Sequence, residues 1–324
     1  MLLTSNERKR WEYFTNRPYG RWPHPASVDD IRDTGRVTDT QAPGGDAGRK
    51  YADTLLERWR ADLASWAIPE EILAAAPESP WVLPRRMFTR RADALLAEPG
   101  GPSYERAREA LPQAGSVLDV GSGAGAASLP LVPPATNIIA VDTDSALLAE
   151  LADRARRRGS TARPVEGRWP DVAGQVRVVD VVVCHDVLYN VPDLEPFVDE
   201  LTTHARRRVV AQLTEEHPLT ALNPLWQRFH GLARSRRPTA DGAVAILRAL
   251  GYDPGVQRWR RSGGTTLASF TELVETTRRR LCLPPERDGE VAEALRDLGV
   301  DPDDPRDLGS AGRSAVTLWW DGTA

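Results

Sequence analysis

The stretch VLDVGSGAGA, residues 117–126, decides the fold of this 324-residue chain. Its first half is a short apolar run typical of a buried β-strand, and its glycines open a predicted helix. Gly121 permits a tight turn, and Gly123 allows the backbone to approach a ligand closely. Asp142 lies twenty-one residues after Gly121, at the end of a second apolar run, where a carboxylate accepts hydrogen bonds from ribose hydroxyls. The stretch therefore predicts a nucleotide-binding loop at the edge of a β-sheet.

Further strands are predicted at 176–184, 207–214, 255–262 and 315–322, and helical stretches separate most of them. Because the central runs are apolar throughout rather than alternating, they indicate a parallel sheet that helices cover on both faces. The sequence thus predicts an α/β fold with a doubly wound, mostly parallel, Rossmann-like sheet.

The chain divides into three parts. Residues 1–48 carry Pro, Gly and Asp with little periodicity and predict an irregular N-terminal arm. Residues 49–113 predict a helical cap segment, since apolar residues recur there at three- and four-residue steps. Residues 114–324 hold the sheet domain, with an insertion at 264–313 that is helical at first and then Asp/Pro-rich. The aromatic residues of the arm suggest that it docks onto the body of the protein: Trp11, Tyr13, Phe14, Tyr19 and Trp22.

Charge and cysteine content exclude several classes of protein. The chain has 42 basic and 46 acidic residues, a formal net charge of −4, so its average surface does not attract phosphate. Two cysteines, Cys184 and Cys282, are too few for a disulfide framework or a Cys-rich zinc site. His217 follows two acidic residues, yet no second His or Cys lies at a ligand spacing, so no metal is expected. Because the chain starts without a signal-peptide stretch and no run reaches the ~20 apolar residues of a membrane span, we expect a cytoplasmic protein.

Spacing alone leaves two kinds of ligand open, because Gly121, Gly123 and Ala126 also satisfy the dinucleotide-binding fingerprint. The charge of Asp119, two residues before Gly121, distinguishes between these two kinds of ligand. Its carboxylate would repel a pyrophosphate and attract a ligand with an ammonium and a sulfonium, as S-adenosylmethionine has. The alternatives are that Asp119 is a buried carboxylate capped by backbone N–H groups, and that the chain is a dinucleotide enzyme. The charge argument favours S-adenosylmethionine.

Three motifs, LDVGSGAG at 118–125, AVDTD at 140–144 and VDVVVCHDVLYNV at 179–191, resemble the first, second and fourth motifs of class I S-adenosylmethionine-dependent methyltransferases. The resemblance covers roughly 115–255. The motif set is specific for the cofactor and does not identify the methyl acceptor.

The resemblance implies a position for each part of the cofactor. The glycine loop would pass under the methionine part, with Asp119 near its ammonium group. Asp142 would hold the ribose, and Thr143 would line the adenine. The predicted cofactor-binding residues, including two that follow the third strand, are Asp119, Gly121, Ser122, Gly123, Gly125, Asp142, Thr143, Arg168 and Trp169.

The adenine side departs from the pattern of that family. The family commonly places an acidic residue directly after a glycine that follows the third strand, whereas here Arg168 follows Gly167. We expect Trp169 to stack on the base or Asp171 to reach back to it. The alternative is that Trp169 packs at the edge of the sheet.

His185 and Asp186 end the predicted fourth strand, and ligands lie off the carboxyl ends of strands in open parallel sheets. A histidine titrates near neutral pH, so His185 is the first candidate for a proton acceptor, with Asp186 orienting it or acting itself. The alternative is that His185 lines the cofactor only through its backbone and that Asp186 caps the following turn. Methyl transfer needs little acid–base help, because holding acceptor and methyl together in a water-poor site supplies much of the rate.

Candidate acceptor-side residues follow the fourth and fifth strands. They are Tyr189, Asn190, His217, Trp226 and His230. Trp226 and His230 stand at helical spacing and could wall an apolar pocket, or they could form a core stripe without a function.

These features favour a methyltransferase that acts on an O, N or C atom of a small molecule or natural product. An RNA methyltransferase, for example on ribosomal RNA, is the second hypothesis; the Asn/Asp-Pro-Pro-aromatic motif of enzymes that methylate base or amide nitrogens is absent after the fourth strand. A third hypothesis is a catalytically silent cofactor-binding factor that acts through partners. The sequence does not indicate an oligomeric state.

Overall fold

The computed structural model describes residues 46–261, 269–305, 308 and 313–324. The strands in these ranges are β1 Gly115–Val120, β2 Ala135–Asp142, β3 Thr161–Glu166, β4 Val179–His185, β5 Ala205–Thr214, β6 Gly255–Arg260 and β7 Ser314–Asp321. They form one sheet in the order β3-β2-β1-β4-β5-β7-β6. Strands β1 to β5 pair in parallel, and β7 runs antiparallel to β5 and β6. The predicted mostly parallel sheet is therefore confirmed.

Helices surround the sheet. Within the described residues four precede it: α1 Asp46–Ala64, α2 Glu70–Ala75, α3 Arg85–Ala97 and α4 Pro102–Ala110. The others are α5 Ser145–Arg157, α6 Leu194–Thr203, α7 Asn223–His230, α8 Ala240–Ala249, α9 Phe270–Arg280 and α10 Asp288–Asp297. Local sequence sets their ends: Pro102 occupies the first turn of α4, and the Asp144 carboxylate caps α5 by accepting from the backbone N–H groups of Ala146 and Leu147.

Both faces of the sheet are buried, because successive side chains of a strand point to opposite faces. Leu118 and Val120 of β1 belong to the core cluster that includes residues of α1, α6 and α8. Val117 belongs to the opposite cluster, with residues of α4 and α5. This arrangement is the doubly wound packing that the apolar strands predict.

The helices before the sheet contribute to two cores. Leu56 and Trp59 of α1 are 2% exposed and lie in the same cluster as β4 and β5. The Trp59 indole N–H also donates to the Val191 carbonyl at 2.8 Å. Met87 of α3 lies in a third cluster, which it shares mainly with residues of α7, α9 and α10. The predicted helical segment is thus present, and it packs directly on the sheet as well as on the insertion.

Some predictions fall on residues outside the described ranges. The predicted arm, 1–48, and its aromatic residues fall on residues 1–45, except for residues 46–48, which begin α1. The described part of the insertion, 269–305, contains α9 and α10, as its helical pattern predicts. The domain boundaries at 48 and 113 stay predictions.

The sheet topology places the functional edge. The chain runs from β1 outward to β2 and β3, and it then crosses over to β4 on the other side of β1. In such sheets a crevice opens at the carboxyl ends of the two strands where the winding direction reverses. The glycine loop after β1 and the residues after β4 lie at this crevice.

Candidate cofactor and acceptor site

The loop after β1 depends on glycine. Gly121, Gly123 and Gly125 have φ values of 71°, 50° and 90°, which residues with a Cβ rarely adopt. A Cβ at Gly125 would lie 2.6 Å from the Leu129 Cδ1, closer than packed atoms approach. The backbone N–H groups of Gly121 and Ser122 both donate to the Val141 carbonyl, at 2.9 and 3.1 Å. The loop is therefore fixed against the end of β2.

Asp142 joins the loop to the start of α5. Its Oδ2 accepts from the Gly123 N–H at 2.8 Å, and its Oδ1 accepts from the Asp144 N–H at 2.9 Å. A carboxylate oxygen can accept more than one hydrogen bond, so holding the loop is compatible with a ribose contact. Thr143 is exposed beside it, whereas Ser122 is 5% exposed. The ribose role of Asp142 stays a prediction that this geometry permits.

Asp119 lies beneath the loop. It is 1% exposed, and its Oδ2 accepts from the Ser128 hydroxyl at 2.5 Å. Burial raises the pKa of Asp119 to about 7, although hydrogen bonds from Ser128 oppose the shift. The geometry matches the alternative of a buried, capped carboxylate. Near neutral pH this group is only partly ionised, so the structure weakens the charge argument against a dinucleotide, and a contact with the ammonium group stays a prediction.

The residues predicted for the adenine side differ in exposure. Arg168 and Asp171 are exposed, while Trp169 is 5% exposed. The Trp169 indole donates to the Phe197 carbonyl at 3.3 Å, and its ring stands edge-on to that of His204 at 5.0 Å between centroids. Trp169 is therefore a packing residue, and it lies in a core cluster rather than at the edge of the sheet where the alternative placed it. Nothing in this geometry supports stacking on adenine.

His185 is half-buried at the end of β4, beside Gln212 of β5 in the register of the sheet. Its Nε2 is buried and has no hydrogen-bond partner within the described residues. Burial lowers the pKa of His185 to about 3, and the guanidinium groups of Arg91 and Arg261 act in the same direction. A lowered pKa makes His185 a weaker base than a free histidine, which speaks against a general-base role. Its role as a proton acceptor stays a prediction.

Asp186 forms an ion-pair clamp. Its Oδ2 accepts from Arg91 of α3, and its Oδ1 accepts from Arg261, the residue after β6. These two cations hold the pKa of Asp186 well below its usual range, although burial opposes them. Asp186 is consequently ionised and a poor proton acceptor. Its φ of 60° is unusual for a residue with a Cβ, and its N–H donates to the Gln212 carbonyl at 2.7 Å.

Arg91 and Arg261 escaped the sequence analysis. Arg91 is 95 residues from Asp186 along the chain, so no local spacing relates them. The signal that was available is the basic cluster RRMFTRR at 85–91, whose helix contains a single acidic residue, Asp93.

Tyr189 and His217 connect the cap to the sheet. The Tyr189 hydroxyl donates to the Thr214 carbonyl at 2.7 Å, and its ring stacks on Trp59 at 5.8 Å. His217 stacks on Trp66 at 4.0 Å, and its Nδ1 accepts from the Leu219 N–H at 3.3 Å. Burial lowers the pKa of His217 to about 3. Both side chains are buried among aromatic rings, while Asn190 is exposed.

Trp226 belongs to the third core cluster, and His230 lies at the border of that cluster. Trp226 is 2% exposed, and the His230 ring lies against it at 5.0 Å. The His230 Nε2 donates to the Leu281 carbonyl at 2.7 Å and so ties α7 to the end of α9. Their position matches the core-stripe alternative. The structure does not place them on a pocket wall.

An open groove of about 590 Å³ lies at the carboxyl end of β5, where β7 begins. Charged, polar and apolar residues line it together: Thr214, Glu215, Glu216, Thr220, Ala221, Asn223, Pro224, Arg236, Arg260, Arg313 and Ser314. Within the described part of the chain no group of three His, Cys, Asp or Glu side chains is placed to hold a metal. The same part of the chain contains no helix that is long and apolar enough to cross a membrane.

Comparison with known proteins identifies the central part of the chain. Residues 117–208 match the family described as methyltransferase domain. The chloroplastic magnesium protoporphyrin IX methyltransferase of Arabidopsis thaliana is 26% identical over 163 residues, 49% of this chain and 52% of that protein. The ubiquinone biosynthesis O-methyltransferase of Rickettsia felis is 20% identical over 183 residues, 50% of this chain and 75% of that protein. The chain thus spans about half the length of the plant relative.

A solved structure of magnesium protoporphyrin IX methyltransferase from Synechocystis PCC 6803, with bound SAH, is 15% identical. The alignment covers 85% of this chain and 97% of that one, with a TM-score of 0.44. The residues that match the family include the glycine loop, Asp142, and Asp186 at the end of β4. Residues 117–208, which hold the glycine loop, Asp142 and the end of β4, are therefore similar to a methyltransferase domain.

Proposed function

We propose that the protein is an enzyme that transfers a methyl group from S-adenosylmethionine to an O, N or C atom of a small molecule. The observation that carries the proposal is the contact between Asp142 and the Gly123 N–H at 2.8 Å, inside the segment that matches the methyltransferase domain. This contact holds the carboxylate that we propose binds the ribose next to the glycine loop, an arrangement that suits an adenosine ligand.

The residues at the crevice fit such a cofactor. Gly123 presents backbone instead of a side chain under the ligand, and the Asp142 carboxylate beside it is the group that would orient the ribose. S-adenosylmethionine, when bound, supplies a methyl group that is activated on a sulfonium. His185 and Asp186 are weak bases in this environment, so their pKa values favour catalysis by positioning and water exclusion over general-base catalysis.

The groove beside β5 and β7 supports a small acceptor. It opens at the same edge of the sheet as the glycine loop, and about 590 Å³ falls within the roughly 300–1,000 Å³ of small-molecule sites. The two curated relatives are named for magnesium protoporphyrin IX and for ubiquinone biosynthesis, so both names refer to small molecules. These points favour a small acceptor over RNA, and they do not select the acceptor atom.

Calorimetry tests the cofactor. We expect the purified chain to bind S-adenosylhomocysteine and to ignore NAD. Asp142→Ala should weaken that binding at least roughly tenfold, because a hydrogen bond to a charged group contributes about 1.5–3 kcal/mol. Asp193→Ala is the matched control, since Asp193 is 65% exposed and pairs with Arg60 on the surface. Binding of NAD without binding of S-adenosylhomocysteine would contradict the proposal.

Salt dependence tests the acceptor class. With a net charge of −4 we expect no measurable binding of ribosomal RNA at physiological ionic strength. Tight RNA binding that falls steeply with salt would favour the RNA methyltransferase. Cofactor binding without transfer to any acceptor in an extract of small molecules and RNA would favour the silent factor.

A further inference from the structure

We propose that the groove beside β5 and β7 binds the methyl acceptor through a carboxylate of that molecule, and that Arg236 is the residue that contacts this carboxylate. The inference rests on the proposed function, because it takes the groove as the acceptor site. It adds the chemical class of the acceptor, a small carboxylic acid that also carries a hydroxyl or N–H group.

The groove lies next to the end of β4. Gln212 of β5 stands beside His185 in the register of the sheet, and Thr214, two residues further along β5, lines the groove. The Tyr189 hydroxyl donates to the Thr214 carbonyl at 2.7 Å, so the loop after β4 reaches the groove wall. A molecule in the groove is therefore on the same edge of the sheet as the glycine loop.

The backbone of residues 234–236 is tied down at the rim of the groove. The Arg234 guanidinium lies over the Trp226 ring of α7, 4.7 Å from its centroid. The same guanidinium donates to the carbonyls of Trp66 and Ala67, just after α1, at 2.9 Å each. The segment that leads into the groove is thus fixed to both the cap and α7, as a supporting structure fixes a ligand-binding group.

Arg236 presents one side of its guanidinium to Glu216. Its Nε donates to the Glu216 Oε1 at 2.9 Å, and its Nη2 donates to Oε1 and Oε2 at 2.7 and 2.9 Å. Nη1 makes no hydrogen bond to any residue that the structure describes. A guanidinium has five N–H donors in one plane, so the two on Nη1 can donate to a second carboxylate. The side chain is 70% exposed, and a ligand can reach it.

The lining of the groove suits an anionic ligand. Three of its residues are cationic, Arg236, Arg260 and Arg313, and two are anionic, Glu215 and Glu216. Arg260 and Arg313 also contact other groups of the protein, so we assign the carboxylate contact to Arg236 alone. Inside a groove bounded by protein, these charges act on a ligand more strongly than they would in open water.

Two buried oxygen atoms of the groove residues have no hydrogen-bond partner among the described residues. One is the hydroxyl of Thr220, a residue that is 8% exposed, and the other is the Asn223 Oδ1. The Asn223 Nδ2 donates to the carbonyls of Arg234 and Ser235 at 3.2 and 3.0 Å, so this amide lies beside the peptide that precedes Arg236. Buried polar atoms without a partner are rare in native proteins and point to a group supplied from outside. A rotation about the Cα–Cβ bond of Thr220 would turn its hydroxyl toward a ligand hydroxyl or N–H.

A comparison of two probes on the full chain, saturated with S-adenosylhomocysteine, isolates the carboxylate. The probes are 4-hydroxyphenylacetate and its neutral amide, whose rings can lie on Ala221 and Pro224 of the groove. In ligand-observed NMR titrations we expect the wild type to bind the acid roughly 5–10-fold more tightly than the amide, as for one charge-assisted contact. Arg236→Gln should lower the affinity for the acid by the same factor and change that for the amide by less than about twofold.

Arg228→Gln is the matched control. Arg228 of α7 is an ion-paired arginine at the surface, 42% exposed, whose partner is Asp297, and it does not line the groove. This variant should keep the wild-type preference for the acid.

Thr220→Val tests the hydroxyl contact with a side chain of the same shape. We expect it to weaken binding of 4-hydroxyphenylacetate by roughly threefold and to leave binding of phenylacetate, which lacks the hydroxyl, unchanged. Its melting temperature should not fall, because the substitution removes a hydroxyl that has no partner. Equal losses for the two acids would overturn the hydroxyl contact.

Two results would overturn the carboxylate contact and leave the proposed function intact. One is a wild type that, with S-adenosylhomocysteine bound, does not bind the acid more tightly than the amide. The other is an Arg236→Gln protein that loses affinity for both probes to the same extent, because that pattern shows a structural role. If S-adenosylhomocysteine itself does not bind the wild type, the proposed function fails.

Discussion

Replacing Asp186 by Asn tests whether this residue is a clamp or a base. The substitution keeps the shape of the side chain and removes the charge that Arg91 and Arg261 share. Two guanidinium groups would then face each other across a neutral amide. As a clamp, Asp186 should affect mainly stability. As a base, it should affect mainly turnover.

The exposure of the three side chains sets the magnitude. Breaking a fully buried ion pair costs about 3–5 kcal/mol, whereas an exposed pair contributes about 0–1 kcal/mol. The side chains of Arg91, Asp186 and Arg261 are 28%, 24% and 11% exposed, so the clamp is closer to the buried case. We expect Asp186→Asn to lower the free energy of unfolding by about 2–3 kcal/mol. For a chain of 324 residues the melting temperature should fall by roughly 3–4 °C.

Urea unfolding of the cofactor-free protein at several pH values is the assay. The pKa of Asp186 is lowered in the folded state, so its stabilisation is present above the unfolded value of about 3.9 and is lost as the pH falls through the folded value. The difference between wild type and variant should therefore be constant from pH 5 to 8. Asp193→Asn, at an exposed ion pair, should change stability by less than about 0.5 kcal/mol.

A stability loss below about 0.5 kcal/mol for Asp186→Asn would refute the clamp. If turnover meanwhile fell by the ~10²–10⁴-fold of a lost proton acceptor, the base interpretation would replace it.

Three further predictions concern the core, the loop and the arm. Because burial lowers the pKa of His217 to about 3, between about pH 6.5 and 3 only the unfolded chain binds a proton at this residue. The free energy of unfolding should therefore fall by roughly 1.4 kcal/mol for each pH unit of acidification in that window. In urea unfolding experiments His217→Gln should show a correspondingly weaker dependence of this free energy on pH than the wild type. Identical slopes would contradict a neutral buried ring. Gly123→Ala, at φ 50° under Phe88, should abolish S-adenosylhomocysteine binding in calorimetry, whereas Gly159→Ala, at φ 77° with open space around it, should carry a similar backbone strain and keep the affinity. Equal affinities of the two variants would show that the loop does not approach the cofactor. Deletion of residues 1–45 should leave cofactor binding intact and impair turnover more than affinity, and a truncated chain that fails to fold in circular dichroism would show that the arm belongs to the core.

The sheet was predictable where its strands are buried on both faces. β1 and β4 read as largely apolar runs because both sides of each strand pack against helices. β3, TARPVE, has no such run, since it lies at the edge of the sheet and most of its residues are exposed. Its Pro164 also lacks the N–H of a central strand, which suits an edge. Only the family resemblance indicated a strand there.

The candidate site was predictable in part. The glycine spacing and Asp142 are local features, and the structure brings them together as expected. The aromatic and histidine candidates were not separable from core residues, because Trp226 and His217 satisfy the same helical or loop patterns whether they line a pocket or pack inside. The Arg91 contact joins residues that are far apart in sequence, so no periodicity could reveal it.

The contact between Trp59 and Val191 bears on how the chain folds during its synthesis. The two residues are 132 positions apart, and Leu56 and Trp59 pack against strands that are made after α1. At translation rates of about 5–20 residues per second, α1 waits on the order of 7–26 s for its partners. Throughout this interval its apolar stripe is open to water, so the nascent chain offers a binding surface to chaperones before the methyltransferase domain exists.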